Sequence, residues 1–452
     1  MSDFTLEQIC HAAGATVLQH AGAKFTGIST DSRTIKTGNL FVALSGENFD
    51  GHQFICQAVE NGAAGLLVSR DQPEMPGNIS ILHVPDTLKA YQAIAAWHRN
   101  QFSIPLVAVT GSNGKTTTKE FIAAVLSSRF SVLKTLANYN NEIGLPLTLL
   151  QLNGKHEAAV VEMGMRGLGE IHELALIASP TIGVVTNVGE THMELLGSLE
   201  NIAAAKAELI EAIPKDGLVV LNADNAYVRG MKDKASARVV LYGIEQPCQV
   251  RAENIRTGDG VTVFDLRAGQ TDFTAEIPAV GRHNVYNALA AIAVALELGL
   301  RTAEITAGLK LFIPGAMRLS MEKMGDYRII NDAYNASPMS MAAAIETLQE
   351  VAPGRRIAVL GDMLELGPVA VEAHCLIGRK LAESGVDIVV TVGPLAAHIA
   401  QSARRLGIAE ARVCDSHQQA AQYLQAVLKP EDTILLKGSR GMKMEKILEK
   451  LM

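Results

Sequence analysis

At 452 residues the chain is too long for one compact core, and two or three domains are expected. Apolar residues make up 48% and charged residues 19%, the balance of an ordinary soluble globular protein; the net charge of −7, without a dense Lys/Arg run, argues against a nucleic-acid partner. Five cysteines, odd in number, far apart and without C-x-x-C, argue against a disulfide framework or a zinc site and fit a reducing cytoplasm.

The N-terminus, "MSDFTLEQICHAAG", carries an early acid and no charged-then-apolar signal layout. From Phe25 to about Val84 short strands and turns surround one helix: "NLFVALSG" and "GLLVS" read as strands, "ENFDGHQF" as a turn, "ICQAVENGA" as a helix. The prolines of "RDQPEMPGN" mark a loop. From Pro85 to Pro314, "PLVAVTG", "AAVVEMG" and "TIGVVTNVG" are β-branched runs ending in turn residues, with helical stretches between them. That alternation predicts a mostly parallel α/β sheet. "VYNALAAIAVALELGL", interrupted by Asn287 and Glu297, is too short and too polar to span a bilayer and reads as a buried helix. "LFIPGAM" is a hinge candidate over 313–316. In the remainder, "YRIINDAY", "RIAVLGD", "DIVVTVG", "ARVCD" and "TILLKGS" are five strands, each followed by a helix-like stretch, a doubly wound Rossmann-like pattern. One of those helices opens with Ser337 as N-cap and Pro338 at its first position. The fold class is therefore α/β in three domains: a small one over 1–84, a central one over 85–314, and a C-terminal one over 315–452.

Chemistry first shows in "VAVTGSNGKTTTKE". Gly111 and Gly114 let backbone N–H groups face a polyphosphate, and the following helix adds its positive N-terminus. Thr110, Ser112, Asn113 and Thr117 complete the loop, Lys115 is placed to reach the β- and γ-phosphates, and the Thr116 hydroxyl to sit on Mg²⁺. Val109 stands where the full Walker pattern has glycine, so the loop is a shortened G-x-x-G-K-T. By itself it is either a nucleotide cradle or an ordinary strand-to-helix turn. Glu162, closing "AAVVEMG", is either the metal carboxylate on the neighbouring strand end or a solvated glutamate. His192 follows a strand end in a loop, where either a ligand contact or simple solvation fits.

Lys206 is the sharper case. Ser198 caps a helix whose apolar positions are Leu199, Ile202, Ala203, Leu209, Ile210 and Ile213, and at roughly 100° per residue Lys206 falls inside that stripe. Glu208 and Glu211 point away. The lysine either snorkels past the stripe or is held there for chemistry, since a desolvated amine loses its proton readily.

In order along the chain, "TGSNGKTT", "LANYNNEIGLP", "EMG", "GETHMELLGS", "AAKAEL", "GRHNVYNALAA", "PGAMRLS" and "INDAYNASPMSM" resemble the Mur ligases. These are ATP-dependent amide-bond-forming enzymes of cell-wall precursor synthesis, and the likeness covers nearly the whole chain. "DAYNASP", "VLGDMLELG" and "HCLIG" resemble the member that adds D-Ala-D-Ala to UDP-N-acetylmuramoyl-tripeptide; no "DNPR"-type motif of the diaminopimelate-adding member is present.

The resemblance implies a central P-loop ATPase-like domain, a UDP-binding first domain and a C-terminal domain that receives the dipeptide. It implies a cytoplasmic monomer using ATP and two Mg²⁺ ions, with no nucleic acid and no membrane span. Lys206 matches the family lysine that is carbamylated and binds metal; Glu162 and His192 match Mg²⁺ ligands, beside Thr116. Asn284 and Asn287 match positions that meet adenine, and Arg318 and Asp332 positions near the nucleotide. Asn138 and Asn141 correspond to the phosphate site. Asp31, Ser32, Arg33, Ser45, Gly46, Asp50 and His52 correspond to the UDP-sugar region, and Asn335, Asp362 and Glu365 to the surroundings of the incoming dipeptide. Ser320 departs from the glutamate that the family often carries there.

Overall fold

The computed structural model describes residues 3–46, 49–70, 76–258 and 260–451. Parts of the expected turn "ENFDGHQF" and of the proline loop "RDQPEMPGN" lie outside the described residues.

Three sheets carry the chain. The first has strands in the order Thr16–Gln19, Ser80–His83, Gly65–Val68, Leu40–Val42, Ile28–Ser29, the last four mutually parallel. The expected helix is present as Ile55–Glu60. The reading that began at Phe25 missed the helix Leu6–Ala13, which is closed by a Thr5/Gln8 capping box.

The central sheet has nine strands. Seven are parallel, in the order Val132–Lys134, Ala158–Glu162, Leu106–Thr110, Ile182–Val185, Leu218–Asn222, Arg238–Gly243, Val250–Gly258. Val261–Ala268 and Thr271–Ile277 then add antiparallel hairpins. The strand Leu106–Thr110 leads into the glycine loop between Ala158–Glu162 and Ile182–Val185, with Val109 opposite Glu162. Connections leave this strand towards both sides of the sheet, and such a switch point opens a crevice at the carboxyl ends. The apolar stretch near residue 290 is the buried helix Arg282–Glu297.

The third sheet runs Ser320–Met324, Tyr327–Asp332, Thr433–Lys437, Arg356–Gly361, Ile388–Val392, Glu410–Cys414, with all five expected strands parallel. The unexpected edge strand Ser320–Met324 pairs antiparallel. Ser337 and Pro338 open the helix Pro338–Val351 as the sequence predicts.

Packing joins the domains unequally. One apolar core runs from Phe4, Ile9, Leu40 and Leu67 through Tyr91 and Ile94 into Leu106, Val161 and Leu209, crossing from the first domain into the second. The third domain has two cores of its own, one on each face of its sheet. The segment linking it to the central domain carries no regular structure from Phe312 to Ala316, and Ile313 is 79% exposed.

Candidate active site

A cleft of about 850 Å³ opens where the carboxyl ends of the central and third sheets face each other. The central sheet contributes Ser112 to Thr117, Glu162, Thr186 to Asn187 and His192; the third contributes Asp332, Asn335, Glu365 and Lys437.

The glycine loop is built for close approach. Gly111 has φ +148°, and a Cβ there would lie 1.9 Å from Thr186 Oγ1; Gly114 has φ +80°, and its Cβ would lie 2.7 Å from Asn287 Oδ1. Neither site tolerates a side chain. The loop is also fastened to residues 186–191. Ser112 N donates to Asn187 O (2.8 Å), Asn113 N to Asn187 Oδ1 (2.9 Å), and Ser112 Oγ to Gly189 O (3.0 Å). Beyond it the helix Lys115–Leu126 begins without a side-chain cap, its first N–H groups at the loop.

Lys115 Nζ donates to Gly111 O (2.8 Å) and Ser112 O (3.3 Å). Burial pushes its pKa below the usual lysine value, against the attraction of Glu162. Glu162, 2% exposed, accepts the Thr116 hydroxyl on Oε2 and the Asn140 amide on Oε1, both at 2.7 Å. A buried carboxylate held only by neutral donors, next to a hydroxyl oxygen, is a donor set that fits Mg²⁺. Among the described residues no three His, Cys, Asp or Glu side chains gather into a cage. Asn140 escaped the sequence reading, which singled out its neighbours Asn138 and Asn141. Asn138 lines the cleft, whereas Asn141 Oδ1 accepts from Gly144 N (2.9 Å) at the start of the helix Gly144–Leu149.

His192 caps the short helix Met193–Leu196 with left-handed backbone and pairs through Nδ1 with Glu365 Oε2 at 2.6 Å. Burial lowers its pKa, helped by Lys115 and Lys206 and opposed by Glu365. Lys206 lies within the helix Leu199–Glu211, 2% exposed, as the apolar stripe requires. It does not line the cleft, and no described carboxylate is within ion-pair distance of it. Burial drives its pKa well below that of an ordinary lysine, and repulsion from Lys115 adds to the effect. Burial thus disfavours the charged form of this amine.

Asn284 and Asn287 sit on the buried helix Arg282–Glu297. Thr118 Oγ1 donates to Asn287 Oδ1 (3.0 Å), Asn287 Nδ2 to Asn284 Oδ1 (3.1 Å), and Asn284 Nδ2 to Val280 O (2.8 Å). Nearby Asp224 accepts from three successive backbone N–H groups, Ile244 to Gln246, and from the Tyr286 hydroxyl. No spacing in the sequence marks that cluster. Arg318 lies 3.8 Å over the Tyr334 ring. Asp332 pairs with buried Lys437 and accepts from Leu319 N; its burial pushes the carboxyl upward.

Asn335 and Glu365 line the cleft, but Asp362 does not. Its Oδ1 accepts from Ala396 N at 2.6 Å, and Gly393 packs directly on the carboxylate, so it serves the adjoining loop.

The residues expected at the UDP-sugar lie apart from this cleft, again at carboxyl ends of parallel strands. Arg33 pairs with Asp31 (2.8 Å) after Ile28–Ser29, and Ser32 Oγ donates to Gln57 Oε1 (2.7 Å). Asp50 collects His52 Nδ1 (2.8 Å), Ser45 Oγ (3.1 Å) and Arg70 Nη1 (2.7 Å), and its pKa is held down to about 2, chiefly by His52. Gly46 is exposed in the short hairpin beside them.

Comparison with known proteins agrees with this architecture. Residues 24–99 match the model of the Mur ligase family catalytic domain, 109–295 that of the Mur ligase middle domain, and 317–440 that of the Mur ligase glutamate ligase domain. The UDP-N-acetylmuramoyl-tripeptide–D-alanyl-D-alanine ligase of Bacillus subtilis is 40% identical over 430 residues, 94% of this chain and 93% of that one. The crystal structure of MurF from Acinetobacter baumannii superposes with TM-score 0.93 at 32% identity, covering 100% and 99% of the two chains. MurF from Thermotoga maritima in complex with ADP superposes with TM-score 0.84 at 29% identity, covering 94% and 96%. With three domain models matched in order and relatives aligned along nearly its full length, this chain belongs to the Mur ligase family.

Proposed function

We propose that the chain is an ATP-dependent ligase that joins D-alanyl-D-alanine to UDP-N-acetylmuramoyl-tripeptide in peptidoglycan precursor synthesis. In this reading residues 1–84 hold the UDP-sugar, 85–314 the ATP, and 315–452 the dipeptide. The observation that carries it is the cleft itself, with a phosphate loop on one wall and the third domain's Asn335 and Glu365 on the other.

An amide does not form directly from carboxylate and amine, because the carboxylate is a poor electrophile. The tripeptide carboxylate attacks the γ-phosphorus of ATP, ADP departs, and an acyl phosphate results. The dipeptide amine then attacks the acyl carbon, and the tetrahedral intermediate collapses with loss of phosphate, which takes up the amine proton and departs as hydrogen phosphate. The first step brings two anions together, so charge neutralisation is the main requirement. Lys115 supplies one positive charge at the phosphates. Magnesium, when bound, would neutralise the rest; Thr116, Glu162 and His192 would hold it, and a carbamate on Lys206 would offer a ligand to a second ion. That modification would replace a cation disfavoured by burial with an anionic oxygen donor. Asn284, Asn287, Arg318 and Asp332 bound the nucleotide, and Asp31 to Arg33 with Ser45, Gly46, Asp50 and His52 hold the UDP-sugar. Closure of the third domain over the cleft excludes the water that would hydrolyse the acyl phosphate.

The test is ATP-dependent phosphate release with UDP-N-acetylmuramoyl-tripeptide, adding D-Ala-D-Ala or single amino acids in turn. Stimulation by D-Ala-D-Ala alone, with a pentapeptide product by mass, is expected. Stimulation by a single amino acid would move the chain to a sister ligase, and indifference to any amine would overturn the ligase reading.

A further inference from the structure

One hydroxyl of the third domain reaches the phosphate loop. Ser337, 4% exposed, caps the helix Pro338–Val351, and its Oγ lies 2.9 Å from Asn113 Oδ1, 224 residues away in sequence. As the cap, Ser337 Oγ accepts the Ser340 N–H, and of the two acceptors in reach of its own proton the Asn113 oxygen at 2.9 Å is nearer than Ser340 Oγ at 3.2 Å. Met339, two residues on, packs at Gly189, whose N–H and carbonyl both bond Ser112 in the same loop.

Asn113 is otherwise fully held. Its N–H donates to Asn187 Oδ1 (2.9 Å), and its carbonyl accepts Thr186 Oγ1 (2.6 Å) and Asn187 Nδ2 (3.0 Å). With Oδ1 occupied by Ser337, Nδ2 faces the other way, buried and without a partner among the described residues. A buried donor left unsatisfied bears its full desolvation penalty. Such a group calls for an acceptor brought by something that binds, and in a phosphate loop that acceptor is a phosphate oxygen.

We propose that Ser337 is a positioning residue that fixes the Asn113 amide so that Nδ2 meets the terminal phosphoryl group of ATP. The phosphate site is then complete only while the third domain is docked. Transfer of the phosphoryl group is thereby tied to the presence of the domain that receives the dipeptide. The proposal rests on the nucleotide-loop part of the function above.

The test is calorimetric binding, with Mg²⁺, of β,γ-imido-ATP and of ADP to the full chain. Wild type prefers the triphosphate analogue. Ser337→Ala loses about tenfold or more of that preference, the size of one hydrogen bond to a charged group, while ADP affinity holds. Ser337→Thr, which keeps hydroxyl and cap, restores most of it. Asn113→Ala leaves the helix cap intact and gives the same loss, which covers the case of Ser337→Ala failing to fold. An unchanged ratio in Ser337→Ala or Asn113→Ala, or equal weakening of both ligands, overturns the proposal. A shifted ratio in a protein whose phosphate release ignores D-Ala-D-Ala would keep the role of Ser337 and sink the ligase reading instead.

Discussion

His192 Nδ1 and Glu365 Oε2 meet at 2.6 Å across the cleft, one from the central domain and one from the third, and both stand on left-handed backbone, φ 56° and 63°. Such conformations cost of order 1–3 kcal/mol each in a residue other than glycine, so the surroundings must hold them. Glu194 N donates to Glu365 O at 3.3 Å, which is part of that support. Glu365→Gln keeps the shape and removes the charge. Steady-state kinetics should show turnover down about tenfold with the KM for ATP little changed; wild-type turnover would reduce the contact to packing.

Lys206 is buried beside no acid, so its removal leaves no orphaned carboxylate. Lys206→Ala should fold, with turnover lower by at least about a hundredfold, the scale of one lost electrostatic contact in a transition state. Near-normal turnover at ordinary bicarbonate would falsify the carbamate reading.

Asn140 holds one oxygen of Glu162 while Thr116 holds the other. Asn140→Ala frees the carboxylate to turn, and Asn140→Asp sets a second negative charge against it. A magnesium titration of activity should show the alanine variant needing about ten times more metal, the usual cost of losing an outer-shell partner. An unchanged titration curve would mean that Glu162 is oriented without Asn140.

His283 lines the cleft with Nε2 enclosed, and burial together with Lys437 pushes its pKa down to about 4. The unfolded chain takes up this proton near pH 6.5 and the folded chain only near 4. Between those values the unfolded state binds more protons, so stability falls as pH falls. Thermal midpoints measured from pH 7 to pH 4 should drop less steeply in His283→Asn than in wild type. Parallel curves would remove His283 from the account.

Much of this was legible in the sequence because period and turn chemistry speak locally. The run "LVAVT" before two glycines, the stripe around Lys206, and Ser337 before Pro338 each declare an element and its end within a few residues. The helix Leu6–Ala13 was missed although Thr5 and Gln8 mark its start, and the edge strand Ser320–Met324 was missed because its polar run declares no strand until it pairs with Tyr327–Asp332. The site divides in the same way. Lys115, Thr116 and Glu162 follow from loop and strand-end position, and Lys206 stands out from its stripe. Asn140, Lys437 and Asp224 do not, because their importance lies in contacts with residues tens to hundreds of positions away. Asp362 is likewise tied to the loop at Ala396, a contact that its place at a strand end does not announce.

The apolar core that crosses from the first domain into the second has a mechanical consequence. The two form one body, and the third, with cores of its own, meets it through a smaller set of contacts, among them Ser337 with Asn113, Glu365 with His192, Met339 at Gly189, Thr347 at Gly281 and Gly367 at Glu194, and through an exposed stretch of chain around Ile313. Swinging the third domain away breaks these local contacts and opens no shared core, whereas separating the first two would expose a whole core. The enzyme therefore has a single joint. Small-angle scattering should record compaction about that joint when nucleotide and both substrates are bound, and calorimetry should resolve two melting units rather than three.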